Sequence, residues 1–165
     1  LLVSAAWAYD PAVAVPVLPD GSLGPPTSIA EPGLQGVVGA AVLHDALFVA
    51  RQFFNGGGYE LFLQQPGSTR PAVRVCEGCW GASPQPLGDL LVVATLSDAD
   101  ELRFTLRAID PVAGSFTGAG LALGDPQSGG GRLVPTPRGL GVTWTQWVAA
   151  GTVDLWFARV DCCPE

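Results

Sequence analysis

The sequence predicts an all-β protein made of tandem copies of one antiparallel unit. A short phrase, Leu-x-Val, recurs along the 165 residues at separations of 46, 43 and 50 residues. An alternating apolar triplet follows each copy, centred 12 or 13 residues after the valine. The chain also holds 22 Gly and 15 Pro, which suit short strands joined by tight turns. A period in the forties built from alternating strands indicates that one supersecondary unit is stacked several times.

Both phrases of the repeat read as β-strands because their apolar residues alternate along the chain. The first phrase occurs as Leu1/Val3, Leu47/Val49, Leu90/Val92 and Leu140/Val142. The second occurs as Val13/Val15/Val17, Tyr59/Leu61/Leu63, Leu102/Phe104/Leu106 and Val153/Leu155/Phe157. The loop between the two phrases contains turn-forming residues in each copy, so we predict a β-hairpin there.

The last copy shows the unit most clearly. Its predicted elements are a strand at 132–136, a turn at 137–139, a strand at 140–146, a loop at 147–151 and a strand at 153–161. In two earlier copies, turns at 43–46 and 87–89 precede the Leu-x-Val strand. A weaker and more polar fourth strand is predicted at 26–30, 70–75 and 119–123. Proline and polar residues are tolerated at an outer sheet edge, where no neighbour requires the missing N–H.

The central strands are apolar almost throughout, as at 37–43 and 90–94. A sheet with one face in water would alternate cleanly between apolar and polar residues. Continuous apolarity therefore predicts that both faces are covered, as when sheets stack face to face.

Four antiparallel strands per repeat, with the polar strand outermost, describe the blade of a β-propeller. The chain resembles bacterial exported β-propeller repeat proteins, whose blades carry a phrase like Gly-Leu-Gly-Val-x-Trp (139–144), a short Gly loop and Asp-Leu-Trp-Phe-Ala-Arg-Val-Asp (154–161). The repeat pattern implies a single repeat domain over 1–165, with blades at approximately 1–33, 34–77, 78–125 and 126–165. We expect an arc cut from a larger ring rather than a closed four-bladed ring. Such an arc would leave two apolar blade faces exposed.

Composition narrows the classes of function. The net charge is −7 and all eight basic residues are Arg, without a basic cluster, which argues against a nucleic-acid partner. No apolar run approaches the length of a membrane-spanning helix. The absence of Met indicates a piece of a longer protein, and residues 1–8 read as a strand rather than as the tail of a signal peptide.

Four cysteines form two close pairs, Cys76 with Cys79 and Cys162 with Cys163. We expect structural disulfides that staple loops between blades, which places the protein outside the reducing cytosol. The expected location is extracellular, periplasmic or at the cell surface. Free thiols and a metal site remain alternatives, because Cys-x-x-Cys spacing also suits zinc or redox chemistry.

An acidic cluster at Asp98, Asp100 and Glu101 is a candidate calcium site, because alternating carboxylates on a loop suit a hard cation. The cluster lacks the glycine and the distant glutamate of a helix-loop-helix calcium loop, so a solvated turn is the favoured interpretation. No other cofactor is indicated. The single histidine, His44, lies at a predicted turn, and no Gly-x-Ser-x-Gly nucleophile motif accompanies it.

Trp80 and Trp147 fall in predicted loops, where an exposed indole could stack on a sugar or anchor a protein partner. Packing in the core is the alternative for both. We therefore expect a non-enzymatic binding or scaffold module that recognises a protein or a carbohydrate through loops on one face. The alternative function is a propeller enzyme of the glycoside hydrolase or lyase type, with acidic side chains converging from different blades.

Overall fold

The computed structural model describes residues 2–4, 13–28, 37–54, 59–66, 68–81, 84–97, 103–124, 126, 128–149 and 151–161. Within these residues every regular element is a β-strand, and every strand pairing is antiparallel. The strands form four sheets, and none of the sheets closes on itself over this part of the chain. The predicted all-β, antiparallel class is confirmed.

Each sheet takes its strands from one continuous stretch of sequence. The first sheet contains β1 (Leu2–Ser4), β2 (Val13–Val15) and β3 (Thr27–Ser28). The second contains β4 (Val37–Leu43), β5 (Ala46–Phe54), β6 (Tyr59–Gln64) and β7 (Val73–Glu77). The third contains β8 (Cys79–Gly81), β9 (Gln85–Leu87), β10 (Leu90–Ser97), β11 (Arg103–Asp110), β12 (Ser115–Phe116) and β13 (Leu121–Leu123). The fourth contains β14 (Ser128–Thr136), β15 (Gly139–Ala149) and β16 (Thr152–Asp161).

Consecutive strands pair throughout the first, second and fourth sheets, which are therefore meanders. The two outer strands of the third sheet are interrupted: β8 and β9 both pair with β10, and β12 and β13 both pair with β11. A two-residue turn joins β4 to β5. His44 and Asp45 adopt φ values of 47° and 61° there, the positive pair that a tight hairpin turn demands. The turn predicted at 43–46 is therefore confirmed.

The third sheet lies between the second and the fourth, and both of its faces are buried. Alternate residues of β10 join different cores. Leu91 and Val93 pack in a cluster with residues of the second sheet, whereas Val92 and Ala94 pack with residues of the fourth. The aromatic ring of Phe104 in β11 lies 6.4 Å, centroid to centroid, from that of Trp144 in β15. This arrangement explains why β10 is apolar at consecutive positions instead of alternating.

The repeated phrases keep a constant direction through these three sheets. On the third strand of the second sheet, Leu61 and Leu63 face the third sheet. On the equivalent strand of the third sheet, Phe104 and Leu106 face the fourth sheet. In the fourth sheet, Leu140 and Val142 of the first phrase face back toward the third. The second phrase therefore points forward along the chain in the second and third sheets, and the first phrase of the fourth sheet points backward.

One detail of the sequence prediction needs correction, and the facing of one phrase is added by the structure. In the third copy, the pair that faces backward is Leu91 and Val93, one residue after the predicted Leu90/Val92 phrase. The loop predicted at 147–151 is wrong in part, because β15 continues to Ala149. Trp147 pairs with Val153 across the hairpin, and this cross-strand contact extends the ladder past the predicted end.

Candidate functional site

The forward face of the fourth sheet carries the largest apolar side chains that the described residues expose together. It is called the fourth-sheet face below. Its apolar members, from β14, β15 and β16, are Val134, Trp147, Val153, Leu155 and Phe157. They share one face because the register places Val153 opposite Trp147, Leu155 opposite Thr145, and Phe157 opposite Thr143. Side chains of directly paired residues stand on the same side of a sheet.

The side chains of the fourth-sheet face are exposed, whereas the equivalent side chains in the two preceding sheets are buried. Leu155 is 74% exposed and Phe157 is 66% exposed. Their counterparts in the second phrase of the second and third sheets are all buried against the next sheet, namely Leu61, Leu63, Phe104 and Leu106. Large exposed apolar patches are uncommon on monomeric domains, so the fourth-sheet face is a candidate interaction surface.

Local features make the fourth-sheet face flat and give it a charged rim. A Cβ atom on Gly141 would lie 3.1 Å from the ring of Phe157, so the ring lies over the space that the glycine leaves. At the end of β16, Arg159 and Asp161 form an ion pair with an Nε–Oδ1 distance of 2.7 Å. The side-chain hydrogen bond to Asp161 raises the pKa of Arg159 above its ordinary value. Both ends of this pair are about half exposed, so it adds a polar edge and little stability.

The two tryptophans named from the sequence lie in strands rather than in loops, which corrects that part of the prediction. Trp147 is in β15 on the fourth-sheet face and is 54% exposed. Trp80 is in β8, an outer strand of the third sheet, and is 50% exposed. Trp80 pairs with Leu96 of β10, so it belongs to the third sheet and not to the fourth. Only Trp147 therefore belongs to the fourth-sheet face, and a binding role for either indole stays a prediction.

The cysteines at 76 and 79 are joined as a disulfide, with Cα atoms 6.0 Å apart. Cys76 is the penultimate residue of β7, and Cys79 is the first residue of β8. The bond therefore bridges the last strand of the second sheet and the first strand of the third, at the kind of junction predicted for a staple. Cys79 is also fully buried in the core between these sheets. Cys162 and Cys163 lie outside the described residues.

The predicted calcium ligands Asp98, Asp100 and Glu101 also lie outside the described residues. Within the ranges that the structure does describe, no group of three His, Cys, Asp or Glu side chains could hold a metal ion. The same ranges contain no helix long and apolar enough to cross a membrane.

His44 lies at a turn, as predicted, and contacts the following sheet. Its Nε2 atom is 2.9 Å from Oδ1 of Asp89, in the turn that precedes β10. Both side chains are mostly exposed. The contact joins equivalent hairpin turns of the second and third sheets.

Comparison with known protein families, with curated proteins and with solved structures finds no match to this chain. Its function is therefore inferred from the placement of its own residues.

Leu155 and Phe157 were recognised in the sequence as a strand phrase but not as an exposed surface. Their pattern is the same as that of the buried phrases, so no local signal distinguishes them. The difference is that no sheet among the described residues covers Leu155 and Phe157. This depends on how the sheets pack and not on the local sequence.

Proposed function

We propose that the protein is a non-enzymatic binding and scaffold module of the β-propeller type, belonging to an exported protein. Its sheets are blades, and the fourth-sheet face docks a protein partner. The observation that carries this proposal is the change in burial of the repeated phrase: it is buried at Leu61 and Phe104, and exposed at Leu155.

Two features support the blade interpretation. β9, one half of the interrupted first outer strand of the third sheet, contacts both β4 and β14, the first strands of the second and fourth sheets. The second phrase points forward in the second, third and fourth sheets. Constant direction and adjoining first strands are what radial stacking about an axis requires. A sandwich of two sheets would contain no sheet that is covered on both faces, as the third sheet is here.

The occupant that fits the fourth-sheet face is the apolar face of another β-sheet. Leu91 and Val93 of the third sheet present such a face to the second sheet. Leu140 and Val142 of the fourth sheet present one to the third. The fourth-sheet face carries three aliphatic side chains beside Trp147 and Phe157, and the equivalent phrase in the two preceding sheets is covered by a sheet. We therefore favour a protein partner over a glycan at this place.

We prefer the non-enzymatic proposal to a glycoside hydrolase or lyase because of the contacts made by two neighbouring carboxylates on β6 and β7. Glu60 and Glu77 are cross-strand partners, and both lie near Arg74, at 4.0 Å and 3.4 Å from its Nη1 atom. A retaining or inverting pair must leave one carboxyl protonated and both directed at a substrate. Glu60 and Glu77 are instead both directed at one arginine of the protein itself, Arg74.

Self-association tests the proposed docking face, because at high concentration a second copy of the chain supplies apolar sheet surface. We expect the protein to self-associate in sedimentation velocity and to bind the dye ANS. The double change Leu155→Asp with Phe157→Asp should abolish both effects, since buried carboxylates oppose association. Val112→Asp is the matched control, because Val112 is equally exposed but lies in the turn between β11 and β12.

A wild-type chain that stays monomeric and binds no dye at high concentration would contradict the proposal. So would a Val112→Asp variant that loses association as completely as the double variant does.

A further inference from the structure

The second and third sheets are packed tightly at one end and separate at the other. On the face that the third sheet turns toward the second, successive cross-strand pairs of β10 and β11 are Leu91 with Ile109, Val93 with Arg107, and Thr95 with Thr105. The first pair is buried in the apolar core between the sheets. Where the pairs become polar, a cavity of about 570 Å³ opens between β7 and the third sheet. It is called the inter-sheet cleft below.

Arg107 is the cation on the third-sheet wall of this cleft. Its guanidinium carbon lies 5.4 Å from the ring centroid of Phe116, which also lines the cleft, within the range of a cation–π contact. Its Nε atom is buried and has no hydrogen-bond partner among the described residues. No salt bridge to Arg107 occurs in that part of the chain either. A buried donor without an acceptor is unfavourable unless water or a ligand supplies the acceptor.

The opposite wall is formed by β7 and carries both signs of charge. Arg74 and Glu77 line it, with 3.4 Å between Nη1 and Oε2. The threonines at 95 and 105 add hydroxyl groups from the third sheet. Together these side chains offer donors and acceptors suited to a ligand rich in hydroxyl groups.

A glycine keeps the space beside Arg107 open. Gly120 precedes β13, and a Cβ atom there would lie 3.0 Å from Cγ2 of Thr105 and 3.4 Å from Cγ of Arg107. Any side chain, including the methyl group of alanine, would therefore press on the two residues that form this part of the wall.

We propose that the inter-sheet cleft binds an acidic saccharide, whose carboxylate pairs with Arg107. A planar guanidinium matches a carboxylate through two parallel hydrogen bonds. Glu77 offsets the charge of Arg74, so the cleft favours a ligand of low negative charge with several hydroxyl groups over a polyphosphate. Its volume is within the range of pockets that enclose small ligands. The cleft lies between the second and third sheets, so this inference goes beyond the docking role of the fourth-sheet face and is independent of it.

Calorimetric titration with digalacturonic acid tests the ligand class. We expect saturable binding of this disaccharide and at least tenfold weaker binding of its dimethyl ester, which keeps the rings and hydroxyl groups but removes the charge. Equal binding of the ester would overturn the assignment of the carboxylate. Equal binding of the dipeptide Asp-Asp would overturn the assignment to a saccharide, and no binding of digalacturonic acid would overturn the proposal.

Three variants locate the site. Arg107→Gln is expected to weaken digalacturonic acid binding about tenfold to hundredfold, the range for loss of a charged hydrogen bond. Gly120→Val should weaken it by filling the cleft. Arg132→Gln is the matched control, because Arg132 is an exposed arginine on the fourth sheet.

Thermal unfolding of each variant shows whether the fold is intact. Should Arg107→Gln fail to fold, Arg107→Lys retains the charge without the planar fork and should still bind more weakly than the wild type. Unchanged affinity in a folded variant at Arg107, or an equal loss in Arg132→Gln, would contradict the placement of the site.

Discussion

Leu61→Ala is expected to lower the free energy of unfolding by about 2–5 kcal/mol, whereas Leu155→Ala should lower it by about 1 kcal/mol or less. The two leucines hold the same place in the repeat, on the third strand of their sheets. Leu61 is 0% exposed in the core between the second and third sheets, and Leu155 is mostly exposed. Both changes carry a similar loss of β-propensity, so their difference isolates the burial and the cavity.

Chemical denaturation of the purified variants measures this difference. The slope of the transition should match that of the wild type in both cases, because the extent of surface exposed on unfolding hardly changes. Equal destabilisation by the two substitutions would contradict the claim that one phrase is buried by a neighbouring sheet and the other is not.

Val92→Asp and Val93→Asp are each expected to prevent stable folding, although they are consecutive residues of one strand. Val92 is 4% exposed and faces the fourth sheet, while Val93 is 0% exposed and faces the second. An unpaired carboxylate in either apolar core costs several kcal/mol, which is a large part of the stability of a typical domain. In a sheet with one wet face, one of the two changes would be tolerated.

Val134→Asp is the control for this pair. Val134 lies in β14 on the fourth-sheet face and is about half exposed, so the carboxylate stays hydrated. Circular dichroism and the temperature of unfolding report the outcome. A folded and stable Val92→Asp or Val93→Asp protein would show that one face of the third sheet is not covered.

The strands could be predicted from the sequence because their apolar residues alternate between turns that glycine, proline and aspartate mark clearly. Register was harder to predict in the third copy. Residues 90–94 are apolar at every position, so Leu90/Val92 and Leu91/Val93 fit the phrase equally well. Only the packing of both faces shows that the second pair points backward.

Trp147 shows a second limit of local pattern. Its neighbourhood, with two alanines and Gly151, resembles a loop, yet pairing with Val153 continues the strand through a register shift between Trp147 and Ala149. A cross-strand contact of this kind depends on the partner strand and is not encoded by the residues of the loop alone.

The two proposed sites differ in why they were not evident from the sequence. The inter-sheet cleft gathers residues from β7, β10, β11 and β12, which lie far apart in the chain and form no motif. The fourth-sheet face does have a visible pattern, but the same pattern is buried at Phe104 and Leu106. Whether such a face is covered is decided by a neighbouring sheet.

Nuclear Overhauser contacts between labelled methyl groups test the stacking of the sheets most directly. The structure predicts that the methyl groups of Val93 contact those of Leu61 or Leu63 in the second sheet, and that those of Val92 contact Leu140 or Val142 in the fourth. Contacts from both valines to the same sheet, or from only one valine to any other sheet, would contradict the stacked arrangement.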